Sequence, residues 1–300
     1  MDLELSDDQV ALRDGIRALL TDRFPMERVR EGFTRATYEE LDSAGVFSLV
    51  RDGFSWADAA LVFEQLGEFC VPGPLVATLL GRGTLGGIVG ASERTPDPVV
   101  EHPSVLDHVV VLDGAAAESY PAGSLVFTDL DWPLDPLTPV ARVALGAGEP
   151  VPTDTGDWRR RGAVLTAAFL VGIAQRCTDL AVAYAKEREQ FGRTIGSFQA
   201  VKHLLADMVV RTELARAAVY AAAAHLDEPD EPDLDRAVSV AKVMAGEAAT
   251  GNGKTATQVH GGMGFTWEVD VHLYLKRAWV LDTHFGGGDH HADVVAGTFV

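Results

Sequence analysis

The sequence predicts a mostly α-helical protein with a small β insert in its middle. Three observations carry that expectation. Apolar residues recur at helical spacing behind capping residues over about residues 1–95. Nine of the fourteen prolines then fall between residues 96 and 156, among short β-branched runs. From 157 to 300 long helical patterns return. The expected plan is an N-terminal helical domain (1–95), a reduced β domain (96–156) and a C-terminal helical bundle (157–300).

Each element has a local reason. Ser6-Asp7-Asp8-Gln9 has the form of a capping box, and the helix it opens carries Val10, Leu12, Ile16, Leu19 and Leu20 on one stripe. Tyr38 to Ala44 reads as a short helix stopped by Gly45. Ser55 caps another, running through Ala59, Leu61, Val62 and Phe63 to Leu66, with Gly67 near its end. Pro72 and Pro74 break the chain, and Leu75 to Leu85 resumes helical spacing. Val109–Leu112, Ser124–Phe127 and Arg142–Leu145 read as strands of a mostly antiparallel domain. Helices are expected from Asp157 to near Glu189, from Ser197 to Leu226, and from Leu234 to His260. The acidic, proline-containing stretch Asp227–Asp233 between the last two reads as a solvated loop.

Composition narrows the function. The chain is long enough for one large or two to three small cores. Its formal net charge of −19 disfavours nucleic acid and anionic membranes as partners. An anionic ligand must therefore be held locally, by a few arginines and backbone N–H groups. No stretch approaches the ~20 apolar residues of a membrane span. The start Met1-Asp2-Leu3-Glu4 lacks a signal peptide's basic and apolar regions, so a cytoplasmic protein is expected. Cys70 and Cys177 read as buried free thiols. No Cys/His cluster has zinc spacing, and the neighbours His290-His291 point to different helix faces, so no metal is expected.

Two segments carry chemistry. The first is Arg188-Glu189-Gln190-Phe191-Gly192-Arg193-Thr194-Ile195-Gly196-Ser197-Phe198-Gln199, between two long helices. It reads either as an inter-helix turn with a surface charge run, or as a site where the Arg188 fork meets a pyrophosphate and Phe191 packs on a planar ring. Ser197 can cap the helix that follows. The second is Gln258-Val259-His260-Gly261-Gly262-Met263-Gly264-Phe265-Thr266. It reads either as a helix-ending turn or as a glycine bend that lets phosphate oxygens approach the backbone. It is neither a Walker loop nor a Rossmann fingerprint, because no Gly-Lys-Ser/Thr follows and no strand precedes it.

Together, REQFGRTIGSFQ and QVHGGMGFT, with the following WEVDVHLYLKRA, resemble the acyl-CoA dehydrogenase superfamily. The resemblance covers most of the chain. It implies an N-terminal helical domain, a reduced middle β domain, a C-terminal four-helix bundle, FAD as cofactor, an acyl-CoA substrate and an electron-transfer partner. It further implies that Arg188, Gln190, Phe191, Ile195, Phe198, Gln258, Gly261 and Gly262 contact an FAD held mainly by a neighbouring subunit. The family's reaction removes an α-proton by a carboxylate while the β-hydrogen leaves as hydride to the flavin.

The chain departs from the family at the base. Phe285 falls where the glutamate is expected, and Gly287 replaces a threonine that usually contacts flavin. The alternative family position on the preceding helix falls at about Gly162, beside Arg159, Arg160 and Arg161, with no acid. The arginine run reads either as a contact for CoA phosphates or as a solvated helix start. Glu268, Asp270 and Asp289 remain as substitute bases. The family's Thr-Glu-Pro-like flavin loop has no counterpart between Val99 and Asp157. Intact trans motifs beside missing cis motifs resemble the heteromeric (α2β2-type) acyl-CoA dehydrogenases of steroid side-chain breakdown, in particular their short subunit. The expectation is thus a subunit that completes a partner's FAD site. The alternatives are a self-sufficient enzyme, of the same or different chemistry, with a relocated base, and a cofactor-free scaffold.

Overall fold

The computed structural model describes residues 5–114, 116–145, 151–152, 156–228 and 233–299. The start Met1–Glu4 and loop residues 229–232 lie outside that set.

Five helices open the chain: α1 (Asp7–Arg23), α2 (Met26–Val29), α3 (Arg35–Ser43), α4 (Trp56–Glu68) and α5 (Leu75–Gly81). Capping boxes start three of them, with Ser6 and Gln9 at α1, Thr34 and Thr37 at α3, and Ser55 and Asp58 at α4. The α1 and α4 boxes are joined, since Gln9 Nε2 donates to Asp58 Oδ1 at 2.9 Å. α5 stops at Gly81, earlier than the spacing to Leu85 suggests. A Cβ on Gly81 would sit 2.7 Å from Val89 Cγ2, so a neighbouring strand takes over the burial there.

That strand is the main correction to the sequence reading. β1 (Val89–Glu93) lies in the stretch assigned to the helical domain. Its Gly, Ala, Ser and Glu carry little β-propensity. It pairs in parallel with β3 (His108–Asp113), through a crossover containing β2 (Val99–Glu101). β4 (Ala116–Pro121) was also unmarked in the sequence. It is a hairpin partner of β3, in register from His108↔Pro121 to Asp113↔Ala116. With β5 (Val126–Asp129), β6 (Val140–Ala144) and β7 (Val151–Pro152), the strands form two sheets, ordered β1-β3-β4-β7 and β2-β6-β5. Every pairing but β1–β3 is antiparallel.

The C-terminal part begins with α6 (Gly156–Glu187), followed by a small hairpin of β8 (Glu189–Gln190) and β9 (Arg193–Thr194). Then come α7 (Gln199–Leu226), α8 (Leu234–His260), α9 (Val271–Leu281) and α10 (Gly288–Gly297). Ser197 does not cap α7. A 3₁₀ turn over Ile195–Ser197 makes Phe198 the N-cap, and Ser197 Oγ instead donates to Thr194 O at 2.6 Å.

α6 is the axis of the molecule. By length and composition Trp158–Glu187 could cross a membrane, contrary to the sequence estimate, but 78% of its most apolar window is buried within the protein. Two glycines let α4 lie directly on it: a Cβ on Gly67 would come within 2.0 Å of Phe169 O, and one on Gly172 within 1.9 Å of Glu64 O. α7 and α8 cover the remaining faces. Asn252 ties the three bundle helices, its buried amide nitrogen lying 2.9–3.3 Å from Ala174 O, Thr178 Oγ1, Met208 O and Thr212 Oγ1. Both cysteines are free and buried, and burial pushes the Cys70 thiol up to about 12.

Candidate functional site

The two glycine-containing segments meet at one end of the bundle. Tyr184, one turn before Arg188, stacks on His260, one residue before Gly261, with centroids 4.2 Å apart. The same Tyr184 hydroxyl lies 3.9 Å from Met263 Sδ. Packing of α6 on α8 therefore places Arg188 and the glycine bend side by side.

The first segment is fixed by its backbone. Arg188 N donates to Tyr184 O at 2.8 Å and Ile195 N to Arg188 O at 2.7 Å, closing the hairpin. A Cβ on Gly196 would lie 2.8 Å from Ala185 O, so the return strand runs against α6. Arg193 lies over the Phe198 ring at 4.0 Å. Phe191 meets Phe198 edge-on, yet is 91% exposed, with a left-handed φ of +53°. Arg188, Gln190 and Gln258 are exposed, and Ile195 and Phe198 half-buried. Gln190 folds back, its Nε2 donating to Glu189 O. The Arg188 guanidinium has no partner among the described residues. At Gly261 (φ +63°) and Gly262 an added Cβ would meet nothing within 4 Å, so the bend faces open space. All eight residues singled out in the sequence thus lie at one end, on one exposed surface that also carries Phe265.

At the other end of α6, Phe285 fills the space over Gly162. Phe285 is 5% exposed, also with φ +53°, and its ring lies where a Cβ on Gly162 would come within 2.2 Å. α8 pins the loop around it. The fully buried Lys242 Nζ donates to Asp282 O at 2.7 Å and Gly286 O at 3.2 Å. Burial lowers this lysine to about 8, against the pull of Asp282. His291 bridges Ser239 Oγ (3.0 Å) and Phe285 O (3.1 Å). Burial, helped by Lys242, holds it down to about 4. The His290-His291 pair is thus structural on its buried member, and no metal-ligating cluster occurs among the described residues.

The arginine run is spent on ion pairs and a ring. Arg159 grips Glu93 through both nitrogens (2.8 and 2.6 Å), Arg160 pairs with Asp235 at 2.6 Å, and Arg161 lies 4.8 Å over Trp56. The run ties α6 to β1, α8 and α4. Neither a free phosphate site nor a merely solvated start describes it.

A cleft of about 380 Å³ opens beside Phe285, between β1, β2 and the end of α9. A second hole of about 40 Å³ lies next to it. The substitute bases sit elsewhere. Asp270 pairs with Arg30 at 2.6 Å at the far end of α9, Glu268 is exposed beside it, and Asp289 is exposed on the first turn of α10. Three acids do line the cleft: Glu93, held by Arg159, Asp97, beside Arg142, and Glu101 of β2, which faces His284. Sequence reasoning passed over Glu101 and His284, because their meeting depends on β2 docking against the α9–α10 loop.

A profile of the acyl-CoA dehydrogenase C-terminal domain matches residues 160–298. The acyl-CoA dehydrogenase IpdE2 of Mycolicibacterium smegmatis is 33% identical over 304 residues, covering 91% of this chain and 93% of its own. Among solved structures, butyryl-CoA dehydrogenase of Megasphaera elsdenii superposes with a TM-score of 0.83 at 18% identity, over 100% of both chains. The ChsE4-ChsE5 complex of Mycobacterium tuberculosis gives 0.82 at 22%, over 100% of this chain and 99% of that one. At those identities the solved structures speak to the fold, whereas the similarity to IpdE2 runs through nearly the whole sequence. The chain belongs to the acyl-CoA dehydrogenase family.

Proposed function

We propose that this chain is one subunit of a heteromeric, FAD-dependent acyl-CoA dehydrogenase, and that it lends its Arg188 and glycine-bend surface to FAD seated on a partner chain. The observation that carries the reading is the separation of two surfaces. Arg188 and Gly162 stand at opposite ends of α6, roughly 39 Å apart at 1.5 Å per residue. A single dinucleotide cannot lie in the cleft beside Phe285 and also reach Arg188 of the same chain. The Arg188 surface therefore serves a neighbour.

The residues there suit the group. A guanidinium without a partner among the described residues presents a fork for phosphate oxygens. The open bend at Gly261-Gly262 lets those oxygens approach backbone. The exposed Phe191 offers a flat apolar face to a ring or to a partner chain. When bound, FAD supplies the hydride acceptor for α,β-dehydrogenation of an acyl-CoA thioester. The partner is a second acyl-CoA dehydrogenase-like chain, and the reduced complex delivers its electrons to an electron-transfer partner. The fold likeness to the ChsE4-ChsE5 complex supports such an assembly.

Co-expression with a second acyl-CoA dehydrogenase-like chain that carries the family's catalytic glutamate tests this. A yellow complex whose flavin is lost in Arg188→Ala supports it. Stoichiometric FAD and acyl-CoA oxidation by this chain as a monomer would sink it.

A further inference from the structure

A second exposed aromatic residue, besides Phe191, is held in a left-handed backbone. Trp132 has φ +58° and is 96% exposed. It also precedes Pro133, which restricts its backbone further. A bulky side chain adopts such a φ at a cost, and no ring contact or hydrogen bond with the described residues offsets it. The loop nonetheless has a fixed shape. Asp135, fully buried, accepts from Leu137 N (3.0 Å) and Thr138 Oγ1 (2.7 Å) and pairs with the buried Arg277. On the other side of Trp132, Leu130 N donates to Val140 O at 2.9 Å. Trp132 is thus displayed from a pinned loop, and Leu134, two residues on, is 55% exposed. A backbone outlier that nothing in the chain stabilises points to a use outside it.

The strand that leads into this loop is open. β5 is an outer strand of the sheet β2-β6-β5, paired with β6 alone among the described residues. Leu130 bonds to its opposite residue Val140, and the alternation of an antiparallel ladder then turns Val126 and Thr128 toward β6 as well. The backbone N–H and C=O groups of Phe127 and Asp129 consequently face the free edge. β5 carries no lysine or proline to blunt that edge, and Val126 on it is 66% exposed. Asp129 and Asp131 are exposed, with no partner among the described residues. The edge therefore joins unpaired backbone, an open indole face and two free carboxylates. Those carboxylates, on a chain of net charge −19, oppose a second copy of this chain, which brings the same charges. They favour a segment bearing lysine or arginine, whose cation can also lie over the indole.

We infer that the β5 edge and Trp132 dock an extended, basic segment of a partner protein, which adds a strand to the three-stranded β2-β6-β5 sheet. The segment's main chain bonds to the free backbone groups of Phe127 and Asp129. Its cationic side chains meet Asp129, Asp131 and the Trp132 face, and its apolar ones rest on Val126 and Leu134. Arg159 and Glu93 tie the β domain to the end of α6 remote from Arg188. This surface is therefore separate from the one proposed for FAD, and both can be occupied at once.

Short fluorescein-labelled synthetic peptides supply the probe. One alternates lysine with valine and threonine, one has glutamate in place of lysine, and one keeps the lysines but has a proline at its centre. Anisotropy with the full chain, at about 0.1 M salt, should show the lysine peptide binding about tenfold or more tighter than the other two. Trp132→Ala weakens it about tenfold or more. Asp129→Asn combined with Asp131→Asn weakens it about fivefold and flattens its salt dependence. Trp132→Gly suits the left-handed φ, so it loses binding while the melting temperature stays equal or rises. With peptide bound, amide hydrogen exchange slows at Phe127 and Asp129. Equal binding of the proline peptide, or unchanged affinity in Trp132→Ala, would mark mere attraction to an acidic chain and overturn the proposal, as would no binding at all. A dimer of this chain that Trp132→Ala dissolves would overturn the choice of occupant and assign the edge to a second copy.

Discussion

Two phenylalanines with the same left-handed backbone sit at opposite ends of α6. Phe191 and Phe285 both have φ near +53°, a conformation that costs a bulky residue on the order of 1–2 kcal/mol. Phe285 recovers that cost within the chain, through burial against Gly162 and a loop held by Lys242 and His291. Phe191 is 91% exposed and keeps only an edge contact with Phe198 inside the chain. The difference teaches where each end finds its complement. The Phe285 ring finds its complement in this chain's own packing. The other end, with an arginine unpartnered among the described residues and an open glycine bend, is finished by something outside it.

That contrast can be broken first by acid. Burial holds His102 and His291 down to about 4, from 6.5 in the unfolded chain. Between those values the unfolded chain binds more protons, so stability is full above pH 6.5 and falls as pH drops toward 4. The loss approaches about 3 kcal/mol for each buried histidine. Urea midpoints across that range measure it, and His291→Asn should flatten part of the slope. Lys242→Ala should cost about 3 kcal/mol, by opening a cavity and stripping two carbonyls of their donor. Gly162→Ala should cost about 2 kcal/mol, because the new Cβ displaces the Phe285 ring. At the other end Phe191→Ala should change monomer stability by less than about 0.5 kcal/mol. A large loss there would mean that the exposed ring is packed after all, and the contrast would collapse.

Much of this was legible in the sequence, for reasons local to it. Capping boxes at Ser6 and Ser55 are three-residue signals, and α8 was delimited to Leu234–His260 because one apolar period runs between a proline loop and a glycine cluster. The eight residues of the Arg188 surface could be singled out together because their pattern is contiguous within two segments, which the packing of Tyr184 on His260 brings side by side. β1 escaped because Gly90, Ala91 and Ser92 form a strand only once β3 lies beside them. Glu101 and His284 escaped for the same kind of reason, being far apart in sequence and joined only where β2 meets the α9–α10 loop. The role of Arg159–Arg161 was also unreadable, since each partner lies on a different element.

The most direct measurement is the flavin stoichiometry of the co-expressed complex, with Arg188→Ala made in this chain alone. The account predicts that the complex still assembles, that monomer stability is unchanged, and that FAD affinity falls about 10- to 150-fold, as for loss of a charged hydrogen bond of ~1.5–3 kcal/mol. Undiminished flavin in that complex would contradict it.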